Sequence, residues 1–158
     1  MMAGRESYHV ELIPGHQIAR RGLAFLISGS ETNIDAKSVF DKLSLNRERE
    51  VRTRFDYWLD GGTNNKWFHG WPNYPIYKDC FVFKWKERKQ HHRFYGFLCN
   101  PLSSDPGFRL CVLVSHAKKT TQHTDPSELH EVNQIKGEYA VKEAIRNAIS
   151  TIVPQPPK

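Results

Sequence analysis

The stretch from Cys80 to Lys119 constrains this chain more than any other part of it. Three runs, CFVFKWKER, HRFYGFLCNP and FRLCVLVSHAKK, are separated by polar residues and by the turn SSDPG. Strand side chains point alternately to opposite faces. The first run therefore sets Phe81, Phe83 and Trp85 on one face and Lys84, Lys86 and Arg88 on the other, and the second puts Arg93, Tyr95, Phe97 and Cys99 on one side. The third is almost continuously apolar, the pattern of a central strand buried on both faces. It ends at the edge of the core in His116, Lys118 and Lys119.

Helical periodicity flanks these strands. Ala36, Val39, Phe40 and Leu43 recur at helical spacing, with Thr32 or Asn33 available as an N-cap. Val51, Phe55, Trp58 and Leu59 share one face of a second helix, and Gly61 and Gly62 supply the left-handed position that ends it. The pair reads as an antiparallel helical hairpin around Leu43 to Asn46. Farther on, Asp125 as N-cap, Pro126 at the first helical position and Glu128 at the third form a capping-box pattern. Leu129, Val132 and Ile135 share a face there; Gly137 interrupts the run, and Val141, Ile145 and Ile149 resume it in a shifted phase, so a kink or two helices are expected. Residues 7 to 14, SYHVELIP, alternate as a short strand that Pro14 stops. Leu23 to Ile27 reads either as a second short strand or as buried loop, and residues 63 to 79 as an ordered, aromatic-rich loop.

A length of 158 residues suits one domain, here residues 1–150 followed by a mobile tail at 151–158. No apolar run is long enough to span a membrane, and MMAGRESYHV lacks the apolar segment of a secretion signal. Cys80, Cys99 and Cys111 lie inside apolar runs without CxxC spacing, which suits reduced, buried thiols and a cytoplasmic location. A zinc site drawing on His69, His91, His92 or His116 would lack the close pairing of ligands that such sites show.

The location of the charge says more than its size. Between Lys84 and Lys119, eight basic residues stand against Glu87 and Asp105, so this segment holds the whole net charge of +6. The same segment carries Trp85, His91, His92, Phe94, Tyr95 and Phe97. Basic residues interleaved with aromatics are what phosphate neutralisation and base stacking need. A basic strand face that discourages edge pairing would not need the aromatics as well.

The order of strand, helical hairpin, three meandering strands and helix resembles the RelE/HigB (ParE-like) superfamily of type II toxins, in particular its phage-derived HigB-like branch. YHVELIP is similar to that branch's opening strand, VRTRFDYWLDGG to the end of its helical hairpin, and CFVFKWKER with RFYGFLC to its central strands. LCVLVSHAKKTTQHTDPSELHEV follows its pattern of apolar strand, small residue or His, Lys pair, Thr, and a helix opened by Pro and Glu. The similarity covers residues 46 to 136 and, more weakly, the first strand. Residues 15–33 then look like an insertion, and the chain continues past Gly137. The resemblance implies an α+β, RelE-like fold: an N-terminal strand, a helical hairpin, a three-stranded antiparallel meander and a C-terminal helix. It also implies an endoribonuclease without cofactor acting on mRNA, on the ribosome or free, and neutralised by an antitoxin protein. The alternative on the same scaffold is a non-catalytic RNA- or DNA-binding or regulatory protein, since fold does not fix activity.

Cutting RNA through its own 2′-hydroxyl requires a base, charge stabilisation for the phosphorane and an acid for the leaving oxygen. By resemblance, Lys84, Lys86 and Arg93 would share the concave sheet face, with Arg109 on the next strand helping to clamp phosphate. His116, a group of near-neutral pKa at a strand end beside Lys118 and Lys119, is the candidate acid or base. Its alternative is a structural histidine satisfying a local hydrogen bond. Lys118 and Lys119 read equally as phosphate contacts or as solubilising charges. Tyr95 and Trp85 are candidates for base stacking, against the commoner role of strand aromatics in the core. His91 and His92 read as part of a turn, and His69 as a packed histidine.

Overall fold

The computed structural model describes residues 7–14, 20–121 and 124–150, so the tail expected to be mobile lies outside the described residues. One six-stranded mixed sheet organises them, with order β1-β2-β6-β5-β4-β3. The strands are β1 (Tyr8–Ile13), β2 (Arg21–Ser28), β3 (Phe68–Gly70), β4 (Cys80–Glu87), β5 (Gln90–Cys99) and β6 (Arg109–Lys119). Neighbouring strands are antiparallel except β2 and β6, which run parallel from Arg21 beside Arg109 to Phe25 beside Leu113.

This pairing decides between the two readings of Leu23 to Ile27 in favour of a strand. Leu23, Ala24, Phe25 and Leu26 are all buried, and β2 is an inner strand of the sheet. A chain with no alternation gives no clue to strand against loop, but burial on both faces is what removes the alternation. The loop expected at 63–79 likewise contains β3 and a short 3-10 helix at Pro75–Tyr77.

Two helical layers cover the sheet. On one face lie α1 (Ala36–Asp41) and α2 (Leu45–Leu59), packed over Leu23, Phe25, Phe83, Trp85, Phe94 and Leu113. Ser44 caps α2, its hydroxyl accepting from the Arg47 amide. Gly61, at φ 91°, turns the chain out of α2 while the Gly61 and Gly62 amides donate to the carbonyls of Trp58 and Tyr57. That is the paired closure a left-handed residue permits. The opposite face is covered by α3 (Pro126–Gly137) and α4 (Tyr139–Ile149), whose Leu129, Val132, Ile135, Val141 and Ile145 meet Leu26, Val82, Phe97, Val112 and Val114. The expected interruption near Gly137 is thus a division into two helices. Asp125 caps α3 by accepting from the Ser127 amide, but Glu128 does not close a capping box and reaches Lys119 at 3.0 Å instead.

One irregularity affects everything beyond it on β6. Tyr95 pairs with Ser115, yet Gly96 pairs with Leu113, so Val114 is an extra residue on β6. Gly96 permits this, because a Cβ there would run into the backbone carbonyl of Val112. A bulge of this kind reverses the facing of the residues that follow it.

The face under α1 and α2 is aromatic. Phe55 projects from α2 into Phe25, Phe40, Phe83 and Phe94, with ring centroids 5.0 to 6.5 Å away. Each edge-on or offset contact adds to the burial of the ring itself. Phe55→Ala is expected to cost about 3–5 kcal/mol of stability, measured as a lower urea midpoint with unchanged slope. A loss below about 1 kcal/mol would show that the aromatic layer can collapse around the missing ring.

Candidate nucleic-acid interface

The short strand β3 pairs with β4 only from Phe81 to Phe83. Past that point the backbone of β4 continues with one further bond, from the Lys84 amide to the Trp67 carbonyl. A cleft of about 600 Å³ opens here, at the margin of the sheet. Its floor is made by the cross-strand pairs Lys84 with Arg93 and Lys86 with His91. Lys66, Trp67 and His69 from the segment around β3 form one wall, and Thr124, just before α3, stands opposite.

Two of the cations are held by groups the fold supplies. The Lys84 ammonium donates to the Asn65 carbonyl at 2.5 Å, and the Lys84 carbonyl accepts from Arg54 of α2. Burial, and secondarily the charge of Arg93, lower the Lys84 pKa from its ordinary value. Arg93 is only 3% exposed and donates to the Tyr95 hydroxyl at 3.0 Å and to Thr124 at 2.8 Å. Lys86 is exposed. His69 stacks obliquely on Trp71, with ring centroids 4.7 Å apart. Burial first, then Lys84 and Arg93, bring its pKa down to about 4, so its imidazole is neutral at pH 7.

Lys84, Lys86 and Arg93 therefore do share one face and one cleft. The remaining expected site residues are elsewhere. His116 lies on the other face of the sheet, because the extra residue Val114 reverses the alternation that Leu110, Val112 and Val114 set up. There His116 hydrogen-bonds His92, Nε2 to Nδ1, at 2.9 Å, beside Trp85 and Phe94. Its own amide donates to Asp35 at 2.9 Å. Lys118 follows it to that face, while Lys119 faces α3 and pairs with Glu128. Arg109 starts β6, at the far end of the strand from the cleft, beside Arg21.

Neither candidate stacking residue is open to a base. Trp85 is 2% exposed and stacks on His92 with centroids 5.1 Å apart, and Tyr95 is 1% exposed. Burial, followed by Glu128, pushes the Tyr95 phenol up to about 12. The turn expected at His91 and His92 is corrected too: the hairpin turns at Arg88, at φ 58°, and Lys89, so both histidines belong to β5. His69 and His91 line the cleft without having been expected there, as do Arg54, Lys66 and His92. The signal for His69 was its place between aromatic residues ahead of a basic strand, which also fits a packed ring. Among the described residues, no group of three or more His, Cys, Asp and Glu side chains is placed to hold a metal ion.

No protein-family model, curated protein or solved structure matches the chain.

The paired imidazoles on the far face carry a pH signature. Burial, then His92 and Lys118, lower the His116 pKa from 6.5 to about 4, and burial lowers that of His92 as well. Such a group binds its proton more readily in the unfolded chain. Its penalty is absent above the unfolded pKa, and stability falls as pH drops from 6.5 towards about 4. Urea midpoints measured across that window should decline, and His116→Gln should decline less steeply than the wild type. Parallel declines would mean that His116 titrates alike in both states.

Proposed function

We propose that the chain is an RNA-binding protein of RelE/HigB-like type that holds the RNA backbone in the cleft at Lys84, Lys86 and Arg93 and cleaves it there. The observation that carries this reading is the convergence of those three cations, with Lys66, on one recess at the sheet margin. A phosphodiester backbone gains most from cations gathered along one groove, and Arg adds planar, two-pronged contact. With β2 in place of the opening strand expected at residues 7 to 14, and β3 set aside, the element order supports the resemblance: strand, helical hairpin, the meander β4-β5-β6, then helices. In this reading β1 is an added edge strand.

Cleavage within the cleft would use the 2′-hydroxyl as nucleophile, with Arg93 and Lys86 stabilising the charge that builds on phosphorus. The substrate class is mRNA, and an antitoxin protein that covers the cleft would silence the activity. The three free cysteines and the lack, among the described residues, of a helix long and apolar enough to cross a membrane fit a cytoplasmic site of action. A second reading, binding without cleavage, has its own support: His116, the expected acid or base, is behind the sheet and engaged with His92.

Fluorescence anisotropy with a single-stranded RNA at two salt concentrations tests binding, and gel analysis of the same RNA tests cleavage. Affinity should fall steeply with salt. Lys86→Ala, which removes an exposed side chain and leaves no cavity, should weaken binding and reduce the salt slope by about 0.7 to 1. Affinity that is flat with salt would overturn the nucleic-acid reading, and tight binding of an RNA that stays intact would favour the non-catalytic one.

A further inference from the structure

Resting on the cleavage reading above, we infer that His69 is a catalytic residue of the cleft, taking the proton of the attacking 2′-hydroxyl. His69 pairs with Val82 across β3 and β4 and lies beside Lys84 and Arg93, the cations that would bracket a phosphodiester. Trp71 lies against one side of its ring and holds it at the cleft wall. No hydrogen bond to another described residue occupies its ring nitrogens, unlike those of His116 and His92, which are tied to each other. Of the cleft's two imidazoles without such a bond, His69 and His91, it is His69 that lies against Lys84 and Arg93, whereas His91 pairs across the strands with Lys86.

Its protonation state suits a base. Burial and the two neighbouring cations keep the ring neutral at pH 7, so a lone pair is available. An incoming phosphate offsets the charges of Lys84 and Arg93 and raises the ring's proton affinity at the moment it has to accept. The free cleft thus holds a weak base, and the occupied cleft a stronger one.

The step balances within the cleft. The 2′-oxygen gives its proton to a ring nitrogen of His69 and forms a bond to phosphorus, with Arg93 beside the charged oxygens. The bond from phosphorus to the 5′-oxygen breaks, and that oxygen takes a proton from the Lys84 ammonium, which burial has made more acidic. The products are a 2′,3′-cyclic phosphate and a free 5′-hydroxyl. His69 then returns its proton to Lys84 through solvent, and no oxidant or reductant takes part.

Two measurements on the full chain test this. In single-turnover cleavage, His69→Gln should lower the rate by about 10²-fold or more, the scale for loss of a general base, while RNA affinity changes by less than about twofold. His9→Gln, at an exposed position of β1 outside the cleft, should cut at the wild-type rate. NMR titration of the wild-type imidazoles, with and without an all-deoxy oligonucleotide that cannot be cut, should show the His69 midpoint moving upward on binding. Cleavage by His69→Gln at the wild-type rate, or a His69 midpoint unmoved by bound oligonucleotide, overturns the role of His69 and leaves the cleavage reading standing. Wild-type protein that binds RNA without cutting it overturns that reading, and the role of His69 falls with it. Should His69→Gln fail to fold, as judged by thermal unfolding, the wild-type NMR titration decides alone.

Discussion

Everything else in this structure follows from the burial of β2 and β6 on both faces. Their parallel pairing places Leu23, Ala24 and Phe25 against Cys111, Val112 and Leu113, all of them buried, at the middle of the sheet. A parallel pair of this kind needs cover above and below, and the two helical layers provide it. With both faces of the sheet's middle occupied by α1 and α2 on one side and α3 and α4 on the other, polar chemistry is confined to the margins. The cleft lies where β3 stops short of the full length of β4.

The margin still has to accommodate like charges at close range. Lys84 and Arg93 are direct cross-strand partners, an arrangement that is unfavourable for two cations with nothing between them. Here each is satisfied separately, Lys84 by the Asn65 carbonyl and Arg93 by Tyr95 and Thr124. Lys119, one strand farther in, is paired with Glu128. Lys84 and Arg93 thus take carbonyl and hydroxyl acceptors, whereas Lys119 takes a carboxylate, and the cleft keeps positive potential for a polyanion to meet.

How much of this was legible beforehand depended on how local the determining signal is. The alternation of β4 and β5, the glycine end of α2, the Asp125 cap and the break at Gly137 are set by residues a few positions apart, and each was readable. The placement of β2 was not, because its partner β6 lies far along the chain and a doubly buried strand shows no alternation. The signal for His69, a ring among aromatics ahead of a basic strand, was ambiguous, since it looks the same whether the ring is packed or lines a recess. His116 was misplaced for a specific reason. Alternation counted from Leu110 puts it beside Lys84 and Arg93, and only the extra residue at Val114, made possible by the missing side chain of Gly96, sends it to the other face.

The parallel pairing also sets an order of assembly. β4, β5 and β6 are joined by short connections and can zip together from the turn at Arg88, at little cost in chain entropy. β2 cannot join them until the chain from Arg21 to Arg109 has been drawn together, a closure that rewards nothing until it is complete. During synthesis the apolar run Leu23 to Leu26 is therefore exposed until β6 has emerged, with only β1 to cover one of its edges. The strand that anchors the finished sheet is thus the one whose inner partner is made last, with β1 alone to pair with it in the meantime.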